Sequence, residues 1–179
     1  RAIKQLPGAP KISVVATVTE WNIGYLAEHI AQLVNLDLAS AMIAHTNFVT
    51  ESMAAQHNAL HPNFNATRSN DFMLDIGQID LDGLAQDLAA VRALKMPFPV
   101  VIQPDISEGP ALQRYYRQHD SLVGKSCTDV MRILMIDSDG EAIPAHGRCF
   151  RFPIGNLKTE TLGALWNAPA LAGLRKELT

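Results

Sequence analysis

Apolar and polar positions along the chain follow two different spacings. Short runs rich in β-branched residues, bounded by proline or polar residues, predict three strands, over residues 11–18, 37–44 and 98–103. Apolar residues three or four positions apart predict four helices. Three of them extend over residues 23–34, 49–60 and 107–120. The third helix in chain order begins after Asp80 or Asp82 and has the core stripe Leu84, Leu88, Val91 and Leu94. Strands separated by helices in this order favour right-handed crossovers and a mainly parallel sheet. The first two thirds of the chain are therefore expected to form an α/β fold.

Polar residues at the predicted helix starts are candidate N-caps, because their side chains can accept a hydrogen bond from a free backbone N–H. Asn22 is the candidate for the first helix. For the second and third helices the candidates are Thr46, Asn47, Thr50, Asp80 and Asp82. The connection over residues 61–80 is polar and irregular, and so long a loop is uncommon unless it covers something.

The last third of the chain has a different pattern, typical of a β-hairpin. An alternating run over Val130–Ile136 predicts a strand, and the D-S-D-G turn that follows ends at Gly140, which is free to take a positive φ. A short return strand is predicted over Glu141–Ile143. Folding back in this way would bring Cys127 and Cys149 towards the same neighbourhood.

Two short helices are predicted after the hairpin. Thr159 is the candidate N-cap of a helix that ends at Trp166, which we expect to be a core residue. Asn167 is the candidate cap of a last helix over Pro169–Leu178.

Composition limits the classes of function. The chain has 179 residues, 47% of them hydrophobic and 18% charged, which is ordinary globular composition for one domain or one domain with an appendage. A net charge of −3 with scattered Lys and Arg gives no footprint for nucleic acid. No apolar run reaches the roughly 18 residues of a membrane span, and no signal peptide is evident. With only two cysteines, a disulfide scaffold is excluded, and a reducing, cytoplasmic setting is expected.

An ordered series of residues in the last third resembles a known family. The series comprises Gly140, Pro144, His146, Arg148, Cys149, Ile154-Gly155-Asn156-Leu157, Leu162, Leu165-Trp166-Asn167 and Arg175. It is similar to the auxiliary-cluster region of radical S-adenosylmethionine enzymes, called the SPASM domain or, in its shorter form, twitch. The likeness spans a quarter to a third of the chain. One departure is Ala145, which stands where the family usually has a cysteine, and Cys149 would replace it with shifted spacing.

The resemblance implies a fold and an origin. It implies that residues 1–120 are the C-terminal half of a radical-enzyme partial TIM barrel, and that 121–179 are a truncated SPASM or twitch-like region. The fold class expected is thus α/β, a half-barrel-like parallel sheet with helices plus a small hairpin and helix appendage. Because the chain starts without Met, we expect it to be an excised part of a longer protein.

The resemblance also implies cofactors. In the full-length protein these are a [4Fe–4S] cluster and S-adenosylmethionine, and a peptide or protein side chain is the expected substrate. The family's C-x-x-x-C-x-x-C loop cannot exist in a chain with two cysteines. We therefore expect this chain alone to bind neither cofactor and to be inactive as a radical enzyme.

Cys127 and Cys149 are the predicted metal ligands. The resemblance implies that they hold an auxiliary cluster, which needs further thiolates. Alternatives from the residues alone are two small buried hydrophobes, an adventitious disulfide, or a zinc site completed by His146.

Three residues are predicted to bind the cofactor: Thr19, Asn22 and His45. Ligands of parallel sheets bind at the carboxyl ends of the strands, where these residues lie. Other polar residues at the same predicted edge are Thr17, Asn47, Gln103 and Asp105. The resemblance implies contacts to the ribose and carboxylate of S-adenosylmethionine, best matched by Thr19 and Asn22. Turn chemistry and helix capping are the alternative explanation.

The runner-up function is a non-catalytic α/β binding or scaffold domain that holds no cluster. In either case the open strand edges of a half barrel favour pairing between copies of the chain. Neither a nucleic acid nor a membrane partner is expected.

Overall fold

A computed structural model describes residues 10–63, 65–70, 75–118, 123, 128–144 and 152–177. The chain divides into two compact units. The first comprises Arg1–Asn47 and Phe72–Gly124, and the second comprises Phe48–Asp71 and Lys125–Thr179. The functional boundary predicted near residue 120 stays a prediction.

Six strands and six helices are found in the described part of the chain. In chain order they are β1 (Ser13–Thr17), α1 (Leu26–Ala31), β2 (Ser40–Ala44), α2 (Glu51–Leu60), α3 (Leu81–Ala93), β3 (Val100–Gln103), α4 (Gly109–Arg117), β4 (Leu134–Ile136), β5 (Glu141–Pro144), β6 (Gly155–Asn156), α5 (Leu162–Trp166) and α6 (Pro169–Glu177). Short 3-10 turns occur at Gln32–Asn35, Ile76–Gln78 and Asp129–Met131. The fold is mixed α/β, as predicted.

The first unit is built on a parallel three-stranded sheet in the order β1-β2-β3. The strands are adjacent in sequence order, so both crossovers move along the sheet in the same direction. Because crossovers between parallel strands are right-handed, both place their helices on the same face of the sheet. Burial agrees with this one-sided arrangement. The face with Ala41, Ile43 and Ile102 is buried, whereas Val15 and Val101 on the other face are 58% and 41% exposed.

The buried face of this sheet is covered by a layer of helices. α1 contacts α3, and α3 contacts α4. α1 contributes Leu26 and Ile30, and the helical spacing of α3 directs Leu84, Leu88 and Val91 into the same core. The predicted stripe of α3 is thus confirmed except at Leu94, which follows the helix and is only half-buried.

The cap predictions were right for two helices and wrong for the first. Thr50 caps α2, accepting a hydrogen bond from the N–H of Met53 at 3.2 Å, and Asp80 caps α3 through Gly83 at 3.0 Å. α1 begins three residues later than predicted, and Asn22 does not cap it. The reason is that Asn22 is already bonded within its own turn.

The long connection before α3 is held to α4 in its last part. The Arg117 guanidinium donates to the carbonyl oxygens of Ile76 at 2.5 Å and Ile79 at 2.7 Å. The Arg117 side chain thus holds the last residues of a connection for which the sequence predicted no regular structure.

The second unit contains an antiparallel sheet in the order β4-β5-β6. The predicted D-S-D-G hairpin is confirmed: the N–H of Gly140 donates to Asp137 at 2.9 Å, and φ of Gly140 is +89°. The strand predicted from Val130 is wrong at its start, because residues 129–131 form a 3-10 turn that buries Val130 in the core, and β4 begins at Leu134.

The two last helices were predicted with the wrong caps. Thr161, not Thr159, caps α5 by accepting from Ala164 at 3.2 Å, because the hydroxyl of Thr159 donates instead to the Asn156 carbonyl. Asn167 ends α5 rather than starting α6, since its amide donates to the Gly163 carbonyl at 2.8 Å. The core of the second unit contains Val130, Ala142, Ile154, Leu165, Leu171 and Leu174. Trp166, predicted to be a core residue, is half-buried.

Among the described residues, none of the helices has the length and apolar character needed to cross a bilayer.

Candidate functional site

The carboxyl edge of the β1-β2-β3 sheet gathers most of the predicted site residues. Thr19 and Asn22 follow β1, His45 follows β2, and Gln103 ends β3. Because the strands are parallel, these positions lie along one edge of the sheet, where ligands of such sheets bind. The side chain of Thr46 reinforces the edge by donating to the carbonyl of Val18, which joins the ends of β2 and β1.

Asn22 shapes the turn that follows β1. Its amide oxygen accepts the N–H of Thr19 at 2.8 Å, and its amide nitrogen donates to the carbonyl of Thr17 at 2.8 Å. Two of the three predicted cofactor-binding residues are therefore brought together in one turn. The predicted role of Thr19 and Asn22 in binding a ligand stays a prediction, and the turn chemistry weighed as the alternative explains their positions.

The same turn is anchored from α3 by Asp87, which sequence reasoning missed. This buried carboxylate accepts three backbone hydrogen bonds, from Gly24 and Leu26 at 2.9 Å each and from Ala27 at 3.0 Å. It therefore supplies the N-terminal cap that α1 lacks locally. Asp87 lies next to Leu88 on the core-facing side of α3, and an acidic residue at such a position is the signal that could have found it.

A second missed residue is Glu20, between Thr19 and Asn22. One of its carboxylate oxygens, Oε2, is buried and has no hydrogen-bond partner among the described residues. Buried polar atoms in native proteins are nearly always bonded, so such an atom needs an explanation, and a missing ligand is one. Its sequence signal is an acidic residue two positions after the predicted strand 11–18.

His45 is enclosed rather than open to a ligand. The side chain is 3% exposed, its Nδ1 lies 2.8 Å from the Tyr116 hydroxyl, and its Nε2 lies 2.8 Å from the Ile106 carbonyl. A carbonyl can only accept, so Nε2 carries the proton, and Nδ1 accepts from the tyrosine. Burial lowers the pKa of His45 below its usual 6.5, although the bond to Ile106 opposes that shift.

Two neighbouring tyrosines of α4 complete this histidine–tyrosine cluster, which we define as His45, Thr46, Tyr115 and Tyr116. The Tyr115 hydroxyl donates to the Thr46 carbonyl at 3.1 Å. Burial raises the pKa of Tyr115 to about 12 and raises that of Tyr116 further still. Both phenols therefore stay neutral at physiological pH and act as hydrogen-bond donors that hold α4 to the carboxyl end of β2. In this arrangement both ring nitrogens of His45 are used inside the protein, and its predicted role in cofactor binding stays a prediction.

The edge beyond β3 is polar and exposed. Asp105 forms an ion pair with Arg92 of α3, with side chains 76% and 50% exposed, so the pair adds little to stability. The sequence neighbour Gln103 is also exposed.

The predicted metal ligands Cys127 and Cys149, with His146, lie outside the described residues. Within the described ranges, no three His, Cys, Asp or Glu side chains converge in a way that would hold a metal. The sequence has two cysteines, half of the usual set of four thiolates, so this chain does not by itself fit a complete [4Fe–4S] cluster.

Several motif residues that the structure describes lie close together around the hairpin turn. A Cβ on Gly140 would lie 2.7 Å from the Asn156 amide oxygen, and Gly155, at φ +146°, is packed against Leu165 with equally little room. The Asn156 amide donates to the Asp139 carbonyl at 3.2 Å, tying the G-N pair to the hairpin turn.

The L-W-N and R motifs are joined in the same way. The Arg175 guanidinium lies 4.2 Å from the centre of the Trp166 ring, donates to the Trp166 carbonyl at 3.1 Å, and donates from Nε to the Val130 carbonyl at 3.1 Å. Through Arg175, the last helix is thus bonded to Trp166 at the end of α5 and to Val130 ahead of the hairpin.

Comparison with known proteins returned no match: the chain fits no protein-family model, no curated protein and no solved structure.

Proposed function

We propose that this chain is part of a radical S-adenosylmethionine iron–sulfur oxidoreductase, in which the first unit supplies half of a barrel and the second a SPASM-like auxiliary region. In the full-length protein the carboxyl edge of the sheet binds the nucleoside part of S-adenosylmethionine. The chain by itself is inactive, because its two cysteines cannot form the C-x-x-x-C-x-x-C loop.

The observation that carries the proposal is the one-sided sheet. Strands in the order β1-β2-β3 with all crossovers in one direction are the arrangement of a barrel wall, in which helices lie outside and the other face points inward. The row Val15, Met42 and Val101 lies in register across that other face. Two of its members are among the most exposed large apolar residues of the sheet, as expected for an interior row of a barrel whose remaining strands come from elsewhere in a longer protein.

The chemistry of the edge supports a nucleoside ligand. The orphaned carboxylate oxygen of Glu20 is an acceptor suited to ribose hydroxyl groups, and the turn that carries it is fixed by Asn22 and Asp87. A rigid turn loses little conformational entropy when a ligand binds, which favours affinity. Glu20, Thr19 and Asn22 are therefore the residues to which we assign binding and orientation of the cofactor.

The auxiliary region supports the proposal through its motif geometry. Gly140, Asn156, Trp166 and Arg175 contact each other or the turns between them, so the motif series corresponds to one folded unit. In the family, a cluster on the C-x-x-x-C-x-x-C loop supplies the electron that cleaves the sulfonium. We assign no such step to this chain, and an auxiliary cluster on Cys127 and Cys149 requires further ligands.

The test uses the longer protein that carries the C-x-x-x-C-x-x-C loop. After anaerobic reconstitution with iron and sulfide, a band near ~400 nm should appear and should lose intensity in Cys127→Ser and Cys149→Ser. Binding of S-adenosylhomocysteine, a redox-inert probe, should weaken at least about tenfold in Glu20→Ala, since a hydrogen bond to a charged group is lost. Glu28→Ala is the matched control, because Glu28 is exposed on α1 and accepts a hydrogen bond from Gln32 at the C-terminal end of that helix.

The absence of the ~400 nm band, or equal affinities in the two glutamate variants, would refute the assignment.

A non-catalytic α/β binding or scaffold domain is the second candidate, favoured by one observation. Two of the three predicted cofactor-binding side chains, Asn22 and His45, already make hydrogen bonds inside the protein. The sequence of the longer protein distinguishes the two candidate functions. A C-x-x-x-C-x-x-C sequence ahead of residue 1 favours the enzyme, and its absence favours the scaffold domain.

A further inference from the structure

A groove beside strand β3 is lined mainly by apolar side chains. It lies in the first unit, between the last turn of α3 and the open edge of β3, and has a volume of about 440 Å³. Small-molecule sites in proteins typically have volumes of about 300–1,000 Å³, so the groove has room for a small ligand. Its apolar lining residues are Val91, Leu94, Met96, Phe98, Val100 and Ile102.

Part of this lining is packed in the core and part is in contact with water. Val91, Phe98 and Ile102 are buried, with exposed fractions of 2%, 6% and 7%. Met96 and Val100 are only half-buried, although both are apolar. Core packing therefore fixes one part of the groove, and the other part keeps apolar surface in water that the tail of a ligand would cover.

The charges at the groove are both positive. Arg92 and Lys95 are its charged lining residues, and none of the described lining residues is acidic. Arg92 is already paired with Asp105. Lys95 is exposed and has no ion-pair or hydrogen-bond partner among the described residues. The groove therefore has a cation available to an anionic ligand, and its charge is complementary to that of a carboxylate.

The open edge of β3 favours a small ligand over an added strand. In the sheet order β1-β2-β3, no other strand of the described chain pairs with the far side of β3. The carbonyl oxygens of Pro99 and Gln103 accept N–H groups from β2 and the residue that follows it, so alternation along the strand turns the backbone of Val100 and Ile102 away from β2. However, β3 has four residues and lies between two prolines, and short edges with proline resist strand pairing.

We propose that this groove binds a small amphipathic carboxylate, such as a medium-chain fatty acid. The apolar tail lies against Val91, Phe98 and Ile102, and the carboxylate pairs with the ammonium group of Lys95. Binding combines burial of the tail with charge pairing at the head group. None of these residues is assigned to the cofactor, so the proposal does not depend on the proposed function.

Tail length and head-group charge set the expected affinities. Complete burial of one methylene group strengthens binding about fourfold. Octanoate has two methylene groups more than hexanoate, and because the groove is open to solvent we expect about a fivefold gain rather than the roughly fifteenfold gain of complete burial. Lys95 attracts an anion and repels a cation, so octanoate should bind about fivefold more tightly than octylammonium, which has the same tail length.

The experiment is a titration of the purified chain with hexanoate, octanoate and octylammonium, followed by the carbon–proton NMR signals of methyl groups. Octanoate should shift the methyl signals of Val91, Val100 and Ile102 saturably, with a dissociation constant of about 1 mM. Lys95→Glu should weaken octanoate binding about fivefold and strengthen octylammonium binding. Lys11→Glu is the matched control, because it changes the net charge equally at an exposed position outside the groove and should leave both affinities unchanged.

Three results would each overturn the proposal. The first is the absence of a saturable shift at these methyl groups up to about 10 mM octanoate. The second is equal affinity for octanoate and octylammonium, a comparison that uses the unaltered chain and so does not require Lys95→Glu to fold. The third is a shift of the same signals with protein concentration instead of octanoate, which would assign the groove to a second copy of the chain.

Discussion

Replacing Asp87 by alanine should be among the most damaging single changes in the first unit. The carboxylate accepts three backbone hydrogen bonds from the turn and first residues of α1. The Leu26 donor is buried, and the Gly24 and Ala27 donors are partly buried. Leaving a buried donor without its charged acceptor costs about 1.5–3 kcal/mol, and each partly buried donor, which water can reach, costs about 0.5–1 kcal/mol. Together these losses are about 2.5–5 kcal/mol, and from the middle of that range we expect the free energy of unfolding to fall by about 3–4 kcal/mol in Asp87→Ala.

Asp87→Asn should keep two of the three hydrogen bonds and remove the third. The amide oxygen can replace Oδ2, which serves Gly24 and Leu26, while the NH₂ group would face the N–H of Ala27 as a second donor. Only the bond of the partly buried Ala27 donor is lost, so a loss of about 0.5–1 kcal/mol is expected, well below that of Asp87→Ala. Gln86→Ala is the matched control, because Gln86 is the exposed neighbour in the same helix and its removal should change stability by less than about 0.5 kcal/mol.

The assay is urea unfolding followed by circular dichroism, together with hydrogen exchange of the α1 amides. At a slope of about 2 kcal/mol per molar urea, the midpoint should move down by about 1.5–2 M in the alanine variant. The amides of Leu26 and Ala27 should exchange fastest relative to wild type, because they lose their acceptor directly. An alanine variant within 0.5 kcal/mol of wild type, or unchanged protection of these two amides, would show that Asp87 does not cap α1.

Three further substitutions test other parts of the structure. Gly140→Ala should destabilise the second unit by about 1–3 kcal/mol in thermal unfolding, because φ is +89° and the added Cβ would lie 2.7 Å from the Asn156 amide oxygen. His45→Gln should flatten the pH dependence of unfolding between pH 5.5 and 7.5. The pKa of His45 is lowered in the folded state, so the unfolded state binds more protons. The contribution of His45 to the free energy of unfolding is therefore complete above about pH 6.5 and is lost as the pH falls, by up to about 1.4 kcal/mol per pH unit. Arg175→Lys should lower the free energy of unfolding by about 1.5–3 kcal/mol, measured by urea unfolding followed by tryptophan fluorescence, to which Trp21 and Trp166 both contribute. Lysine cannot both cover the Trp166 ring and make the spaced hydrogen bonds of the guanidinium.

Each of these three substitutions has a control in the same chain. Gly163→Ala should be neutral or stabilising, since a Cβ there meets nothing within 4 Å. His29→Gln and Arg132→Lys, both at exposed positions, should leave the free energy of unfolding at pH 7 unchanged. A Gly140 variant as stable as the Gly163 variant would contradict the turn geometry. A steep pH dependence that persists in His45→Gln would assign the titration to another group. A wild-type midpoint in Arg175→Lys would show that the guanidinium contacts of Arg175 do not stabilise the second unit.

Local signals predicted the elements of this fold well. The three parallel strands, the caps at Thr50 and Asp80 and the hairpin turn at Gly140 all depend on residues within a few positions of each other. Such features follow from backbone preferences that a short window of sequence contains. The order of strands and helices then fixes the parallel sheet and the side on which its helices lie.

Errors arose where a distant residue competed with a local one. Asn22 looked like the cap of α1, but it bonds its own turn, and the cap comes from Asp87, 61 residues from Leu26. The partner of His45 is equally distant, since Tyr116 bonds its ring from 71 positions away, and the predicted role of His45 in cofactor binding stays a prediction. Periodicity and capping rules contain no information about which distant side chain reaches a given turn, so no reading of a short window would have found either partner.

At the carboxyl edge of the sheet, such long-range hydrogen bonds determine which side chains are available to a ligand. A side chain that holds the fold through all of its polar atoms, as His45 does, is fixed in place but has nothing left to offer a ligand without breaking a buried bond. A side chain whose buried polar atom has no partner among the described residues, as in Glu20, costs free energy unless water or a ligand bonds that atom. The same edge therefore separates into a rigid part around His45 and Asp87 and an unsatisfied part at Glu20. A ligand gains most where the protein's own bonds are incomplete, which is why Glu20 is the side chain whose removal most directly tests whether this edge binds anything at all.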